Sequence, residues 1–172
     1  MTNLLILDTL SIRDFGTAGL LQSISRLSSR VTTTSTAYLQ NPFPGAFTNA
    51  PLETGKIYLT TLSAGELHYA YQLSSTMPGL TLADYSVLFL SNREQGMLVT
   101  VDSCLVRAAE MMQVNVCSYS QVLGLLADAE IISRGLSLTH YAPLLGRINA
   151  LALPGEKQLF MYEEPVNKER LA

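Results

Sequence analysis

Apolar residues recur in short runs along this chain, and the spacing within the runs changes repeatedly. Continuous apolar runs, such as NLLIL at 3–7 and MLVTV at 97–101, are typical of strands buried on both faces of a parallel sheet. Other stretches place apolar residues three or four positions apart, which predicts helices. Predicted strands are residues 3–7, 30–34, 56–61, 97–101 and 114–117, and predicted helices are residues 17–27, 35–40, 63–75, 82–92, 105–112, 121–132 and 141–151.

Strands and helices thus alternate along most of the chain. This order predicts an α/β fold, a three-layer domain with a mainly parallel central sheet covered by helices. A length of 172 residues suits one domain. We expect residues 1–153 to form it, and the charged, proline-containing residues 154–172 to be a surface tail or a partner-binding arm.

The composition of the chain predicts a large buried core. Hydrophobic residues make up 48% of the chain and charged residues 15%, whereas charged residues are about 25% of an average soluble domain. The uncharged stretches 31–52 and 111–127 are interrupted by polar residues, so no membrane-spanning helix is predicted. The N-terminus has no basic start before Asp8, and we expect a cytoplasmic protein. Cys104 and Cys117 are too few for a disulfide framework.

The charge balance limits how this protein could bind nucleic acid. Eleven basic and 14 acidic residues give a net charge of −3, which argues against binding through phosphate neutralisation alone. Carboxylates that hold a divalent cation reverse the local field, so an acidic chain can still act on RNA.

Candidate chemistry lies where the most apolar strands end. Asp8 follows NLLIL and Asp102 follows MLVTV, and ligands of parallel sheets collect at the carboxyl ends of the strands. Asp84, near the start of the helix before the second of these strands, is within reach of the same crevice. Three carboxylates there would form a hard oxygen site for Mg²⁺ or Mn²⁺.

Each of these aspartates also has an ordinary structural interpretation. Asp8 and Asp102 precede predicted helices, where aspartate is a preferred N-cap. Thr81 and Asp84 have the spacing of a capping box, as do Ser63 and Glu66. Only convergence of the three acids would distinguish a metal site from three helix caps.

Four segments of the chain resemble the successive blocks of PIN-domain proteins, which are metal-dependent ribonucleases. The segments are ILDT at 6–9, LTLADYSVLFLS at 80–91, LVTVD at 98–102 and LVRAAEMMQVNV at 105–116. The resemblance implies that Asp8, Asp84 and Asp102 bind the metal and position the attacking water, assisted by a small polar residue such as Thr100 or Ser103. It also implies cleavage of single-stranded RNA, and many members are homodimeric toxins of toxin-antitoxin pairs.

The chain departs from the family pattern at two positions. The family usually has a glutamate on the helix after the second strand, but no acid lies between Asp14 and Glu53. Gln40 could supply a neutral and weaker oxygen ligand there. Leu10, followed by Ser11, stands where the family usually has Asn or Ser, which leaves a supporting hydrogen bond in question.

The leading hypothesis is a divergent PIN-like ribonuclease that hydrolyses RNA with Mg²⁺ or Mn²⁺ held by Asp8, Asp84, Asp102 and Gln40. Arg107, one turn after Asp102, is a candidate phosphate contact, although a solvated helix face is the preferred interpretation because arginine is generally exposed. The alternative is a catalytically degenerate PIN-like domain that binds nucleic acid or protein. A third hypothesis is an interaction protein that uses the apolar residues 136–153. An antitoxin protein and a second copy of the chain are the expected protein partners.

Overall fold

The computed structural model describes residues 4–28, 30–40, 57–132 and Leu144. Five strands form one sheet in the order β3-β2-β1-β4-β5, and every neighbouring pair is parallel. The strands are β1 (Leu4–Leu7), β2 (Arg30–Thr34), β3 (Ile57–Thr60), β4 (Met97–Val99) and β5 (Val116–Cys117). Strand β1 is therefore central, with β2 on one side and β4 on the other.

The described ranges contain seven α-helices and one turn of 3₁₀-helix, Leu73–Ser75. The helices are α1 (Thr9–Thr17), α2 (Leu21–Ile24), α3 (Ser35–Leu39), α4 (Ala64–Gln72), α5 (Leu82–Glu94), α6 (Ser103–Met111) and α7 (Tyr119–Asp128). Helices α1, α2 and α7 share one hydrophobic cluster with the sheet, and α3, α5 and α6 share another. The predicted three-layer α/β fold with a parallel sheet is confirmed.

The central strands are apolar throughout because helices cover both of their faces. In β1, Leu5 and Leu7 pack toward α1 and α7, whereas Ile6 packs toward α5 and α6. Side chains of a strand alternate between its faces, so a strand covered twice needs apolar residues at consecutive positions. The run NLLIL reflects this burial.

Close packing also determines the entry into β4. Gln95 ends α5 in the left-handed conformation, with φ of 53°. A Cβ on the next residue, Gly96, would lie 2.8 Å from Ile6 Cδ1 and 3.0 Å from Leu4 Cδ2. Glycine at 96 therefore lets the backbone approach β1 directly before the two strands pair.

The first helix begins earlier than the sequence predicts. The expected start near Thr17 is wrong, because α1 spans Thr9–Thr17 and a second short helix follows. Gly16 lowers helix propensity, but Asp8 caps the helix and the buried side chains of Ile12 and Phe15 hold it against the sheet. Tertiary packing outweighs local propensity in this segment.

Several predictions fall outside the described residues. These are the surface tail at 154–172 and the domain boundary at 153. Of the predicted helix 141–151, only Leu144 is described, and it is helical and buried in the cluster of α1 and α7. Among the described residues, no helix is long and apolar enough to span a membrane.

Candidate functional site

The chain changes direction at the carboxyl ends of β1 and β4. These strands are hydrogen-bonded neighbours, with Leu7 opposite Val99, yet β1 is followed along the chain by β2 on one side, and β4 by β5 on the other. The connections therefore leave the two strands in opposite directions and open a crevice between them, which is the usual ligand position in such sheets. Asp8 lies directly after β1, and Thr100 and Asp102 follow β4.

Asp8 is a buried carboxylate at the base of this crevice, with 1% of its surface exposed. Its Oδ1 accepts a hydrogen bond from the Ser11 amide at 2.6 Å, and its Oδ2 accepts one from the Thr100 hydroxyl at 2.5 Å. Burial raises the pKa of Asp8 to about 6, the hydrogen bonds from Ser11 and Thr100 oppose this rise, and the charge of Asp84 adds to it. At neutral pH the group is thus charged at a free-energy cost.

Thr100 connects the acidic residues that follow the two strands. Its Oγ1 accepts from the Asp102 amide at 3.1 Å and donates to Asp8. The Asp102 carboxylate caps α6, because its Oδ1 accepts from the Cys104 and Leu105 amides at 2.7 and 3.2 Å. Among the described residues, none donates to Asp102 Oδ2. Capping therefore occupies only one of its two oxygens.

Asp84 is partly exposed in the first turn of α5. Its Oδ2 accepts from the Thr81 amide and hydroxyl, both at 2.8 Å, and completes a capping box. No hydrogen bond to Oδ1 comes from the described part of the chain. The charge of Asp84 raises the pKa of Asp8, but it is the smallest of the effects that act on this pKa.

Buried hydroxyl groups hold α5 over the end of β2. Ser86, half a turn after Asp84, donates to the Ala83 carbonyl at 2.7 Å and lies 2.6 Å from Thr34 Oγ1. Thr34 Oγ1 also accepts from the Ala37 amide and so caps α3. Since the Ser86 proton is used, Thr34 donates to Ser86. This chain of hydrogen bonds connects the first turns of α3 and α5.

The remaining predicted residues are exposed. Gln40 ends α3 and is exposed, as is Ser103 at the start of α6. Arg107 is exposed and folds back along α6, with Nε 3.3 Å from the Ser103 carbonyl oxygen and Nη2 3.9 Å from Cys104 Sγ. Its guanidinium thus lies beside the helix turn that Asp102 caps.

These residues fit a hard cation in donor chemistry but do not form a preassembled cluster. Carboxylate oxygens are the donors that Mg²⁺ and Mn²⁺ prefer, and Asp84 and Asp102 each keep one oxygen clear of their caps. Within 4–28, 30–40 and 57–132, however, no three His, Cys, Asp or Glu side chains are grouped so that they could hold a metal ion.

Sequence reasoning missed two buried polar residues, Asp14 and Tyr119, and left the role of Ser11 open. The Ser11 amide donates a hydrogen bond to Asp8, and the Ser11 hydroxyl donates one to the Val99 carbonyl at 2.7 Å. Tyr119, from α7, donates to Asp14 Oδ2 at 3.3 Å. Ser11 and Asp14 are spaced for one face of a helix, but the late predicted start of α1 hid this relation.

Comparison with known proteins gives a likeness of fold. No protein-family model matches the chain, and no curated protein matches it. The structure is similar to that of a PilT N-terminus (PIN) domain protein from the hyperthermophilic archaeon Sulfolobus solfataricus P2. The TM-score is 0.49 and the sequence identity 11%, over 73% of this chain and 92% of that chain. At such low identity the likeness assigns no role to any residue.

Proposed function

We propose that this protein is a PIN-like nuclease that hydrolyses single-stranded RNA with Mg²⁺ or Mn²⁺. The observation that carries the proposal is the buried Asp8 carboxylate at the β1–β4 crevice, with its raised pKa and the charge of Asp84 nearby. A charged carboxylate that the fold buries at a cost is typical of functional sites. The sequence segments similar to PIN domains support the same assignment.

In this proposal, Asp8, Asp84 and Asp102 would hold the metal, with the Gln40 amide oxygen as a weaker ligand. The bound metal supplies a water activated for attack and neutralises charge that develops on the phosphate. Thr100 and the Ser11 amide fix the orientation of Asp8. Arg107 would contact an RNA phosphate beside the first turn of α6.

Metal binding requires the carboxylates to approach one another. Asp84 and Asp102 can contribute Oδ1 and Oδ2 respectively while their other oxygens keep the helix caps. Asp8 can bind the metal and still accept the hydrogen bond from the Ser11 amide, because each carboxylate oxygen has two lone pairs.

The test combines Mn²⁺ calorimetry with a metal-dependent RNase assay on the same preparations. Wild type should bind Mn²⁺ and cleave single-stranded RNA, and Asp8→Asn, Asp84→Asn and Asp102→Asn should each lose at least about 10-fold in affinity. Glu110→Gln, which removes an exposed charge from the same helix that Asp102 caps, is the matched control. RNA cleavage that persists unchanged in Asp8→Asn would contradict the proposal.

A catalytically degenerate PIN-like domain is the second candidate. It is favoured by the lack of a three-acid group among the described residues and by the exposed, neutral Gln40. This candidate predicts RNA or protein binding without cleavage at any Mn²⁺ concentration. Gln40→Glu would then be expected to raise Mn²⁺ affinity, because a fourth carboxylate restores the charge that the cation requires.

The expected partners form a further part of the proposal. A toxin of a toxin-antitoxin pair would be a homodimer that an antitoxin protein silences. The proposed cellular location of the protein is the cytoplasm. Light scattering of the full chain tests the homodimer, which should give twice the mass of 18.8 kDa. A monomer at all concentrations would exclude this part without affecting the metal site.

A further inference from the structure

A buried tyrosine and a buried aspartate lie on the α1–α7 side of Asp8. Asp14 is 8% exposed and Tyr119 is fully buried. The Tyr119 hydroxyl donates to Asp14 Oδ2 at 3.3 Å, and Arg13 Nε lies 3.1 Å from Asp14 Oδ1. An ionised aspartate in this position is costly unless its oxygens are hydrogen-bonded.

Tyr119 also interacts with the surroundings of Asp8. Burial raises the pKa of Tyr119, as do the charges of Asp8 and Asp14. The phenol therefore stays protonated at neutral pH and lies within the field of both carboxylates. Its ring contacts Phe15, with centroids 4.6 Å apart, so packing fixes where the hydroxyl can lie.

Ser11 is the connection between this pair and the proposed site. The Ser11 amide donates to Asp8 Oδ1 at 2.6 Å and its hydroxyl to the Val99 carbonyl at 2.7 Å. Ser11 and Asp14 are three residues apart on α1, so a bond that holds Asp14 against α7 also restrains the turn containing Ser11.

From these contacts we propose that Tyr119, bonded to Asp14, is a positioning residue that holds Ser11 and thereby the carboxylate of Asp8. Its importance for metal binding rests on the proposed function, whereas its effect on Ser11 does not. Tyr119 touches neither metal nor RNA in this assignment and acts only through α1.

The decisive variant is Tyr119→Phe, which deletes the hydroxyl and keeps the ring packed on Phe15. Tyr85→Phe is the matched control, because Tyr85 is also buried and its hydroxyl donates to the Met77 carbonyl in the opposite helix layer. Both changes remove one buried hydrogen bond. Only Tyr119→Phe should disturb Ser11.

Two measurements separate this inference from the proposed function. Hydrogen exchange of the Ser11 amide, measured without metal, should accelerate about 10-fold in Tyr119→Phe relative to Tyr85→Phe. Mn²⁺ affinity should fall by about 10-fold in Tyr119→Phe, the low end of the effects of residues that support metal ligands. The electron paramagnetic resonance spectrum of bound Mn²⁺ should broaden in Tyr119→Phe and not in Tyr85→Phe.

Each outcome is decisive. Unchanged Ser11 exchange in Tyr119→Phe overturns the positioning role, whatever the metal result. If wild type binds no Mn²⁺ but Ser11 exchange accelerates, the positioning role stands and the proposed function fails. Two variants of Asp14 provide a further test. Asp14→Asn keeps an oxygen that accepts from Tyr119, so the Ser11 amide should stay protected from exchange. Asp14→Leu has no acceptor, and this protection should be lost.

Discussion

At the scale of single residues, Asp8 shows how burial changes the energetics of one carboxylate. Its pKa of about 6 compares with an ordinary value of 3.8, and the difference corresponds to about 3 kcal/mol that disfavours the charged form in the folded state. The folded protein therefore binds a proton at Asp8 more tightly than the unfolded chain does. Protonated Asp8 makes its full contribution to the stability of the fold below pH 3.8. This contribution is lost as the pH rises toward about 6.

The first prediction concerns Asp8→Asn. Without metal, the variant should gain stability relative to wild type as pH rises from about 4 to about 6, reaching about 3 kcal/mol above pH 6. The neutral amide can still accept from Ser11 and avoids the cost of a buried charge. Urea denaturation of both proteins across this pH range measures the difference, in which the contributions of other titrating groups cancel. A difference that does not depend on pH would contradict the raised pKa.

The second prediction concerns the hydroxyl of Thr100. Thr100→Val removes a donor that stabilises the charged form of Asp8, so the pKa of Asp8 should rise above about 6. Carboxyl carbon chemical shifts recorded during a pH titration measure it. Thr33→Val is the control, because the Thr33 hydroxyl is equally buried but donates to the Leu7 carbonyl at 2.8 Å. Equal shifts in both variants would mean that the effect is not specific to the Thr100 bond.

At the scale of elements, helix caps and candidate ligands are the same residues. Asp8, Asp84 and Asp102 each bond amides at a helix start, and for Asp84 and Asp102 these contacts use a single oxygen. The structural and the functional interpretations of the latter two acids are therefore compatible. A cap also holds a carboxylate rigidly relative to its helix, which reduces the entropy lost when the carboxylate binds a ligand.

The third prediction compares two capping boxes. Thr81→Ala and Ser63→Ala should each cost about 1 kcal/mol of stability, since each removes the N-cap hydroxyl of a helix. Only Thr81→Ala also removes one of the two hydrogen bonds to Asp84 Oδ2, whereas Glu66 in the second box belongs to α4 and pairs with Arg93. Mn²⁺ affinity should therefore change in Thr81→Ala alone. An equal change in Ser63→Ala would indicate a general effect of destabilisation.

At the scale of the whole molecule, the chain carries a net charge of −3, and the proposed function gives it a divalent cation as ligand. A ligand that binds only the folded state raises its stability by an amount set by concentration and affinity. In the proposed function, the metal would also replace the proton on Asp8. Binding should accordingly weaken as pH falls below about 6, the pKa of this carboxyl group.

The fourth prediction follows from this linkage. At a free Mn²⁺ concentration 100 times the Kd measured by calorimetry, unfolding of wild type should cost about 2.7 kcal/mol more than without metal. Asp8→Asn, with an affinity at least about 10-fold weaker, should gain about 1.4 kcal/mol or less at the same concentration. Urea denaturation at pH 7.5 and pH 5 measures both, and the wild-type increase should be smaller at pH 5. An increase that is the same at both pH values would exclude Asp8 as a ligand.

The sequence by itself determined the layers and the candidate acids. Runs of consecutive apolar residues in β1 and β4 specify strands covered on both faces, and an acid at the end of such a strand must lie at the sheet edge. These signals are local: they depend on periodicity within a few residues. For that reason β2 was predicted with its exact bounds, whereas α1, in which Gly16 weakens the local signal, was predicted to begin too late.

Only the tertiary structure decided which polar groups meet. Thr100 reaches Asp8 across 92 positions of sequence, and Tyr119 reaches Asp14 across 105. Nothing in the local pattern specifies such pairs, because they follow from the strand order that places β4 beside β1 and α7 beside α1. The raised pKa of Asp8 has the same origin, since it arises from burial by segments distant in the chain.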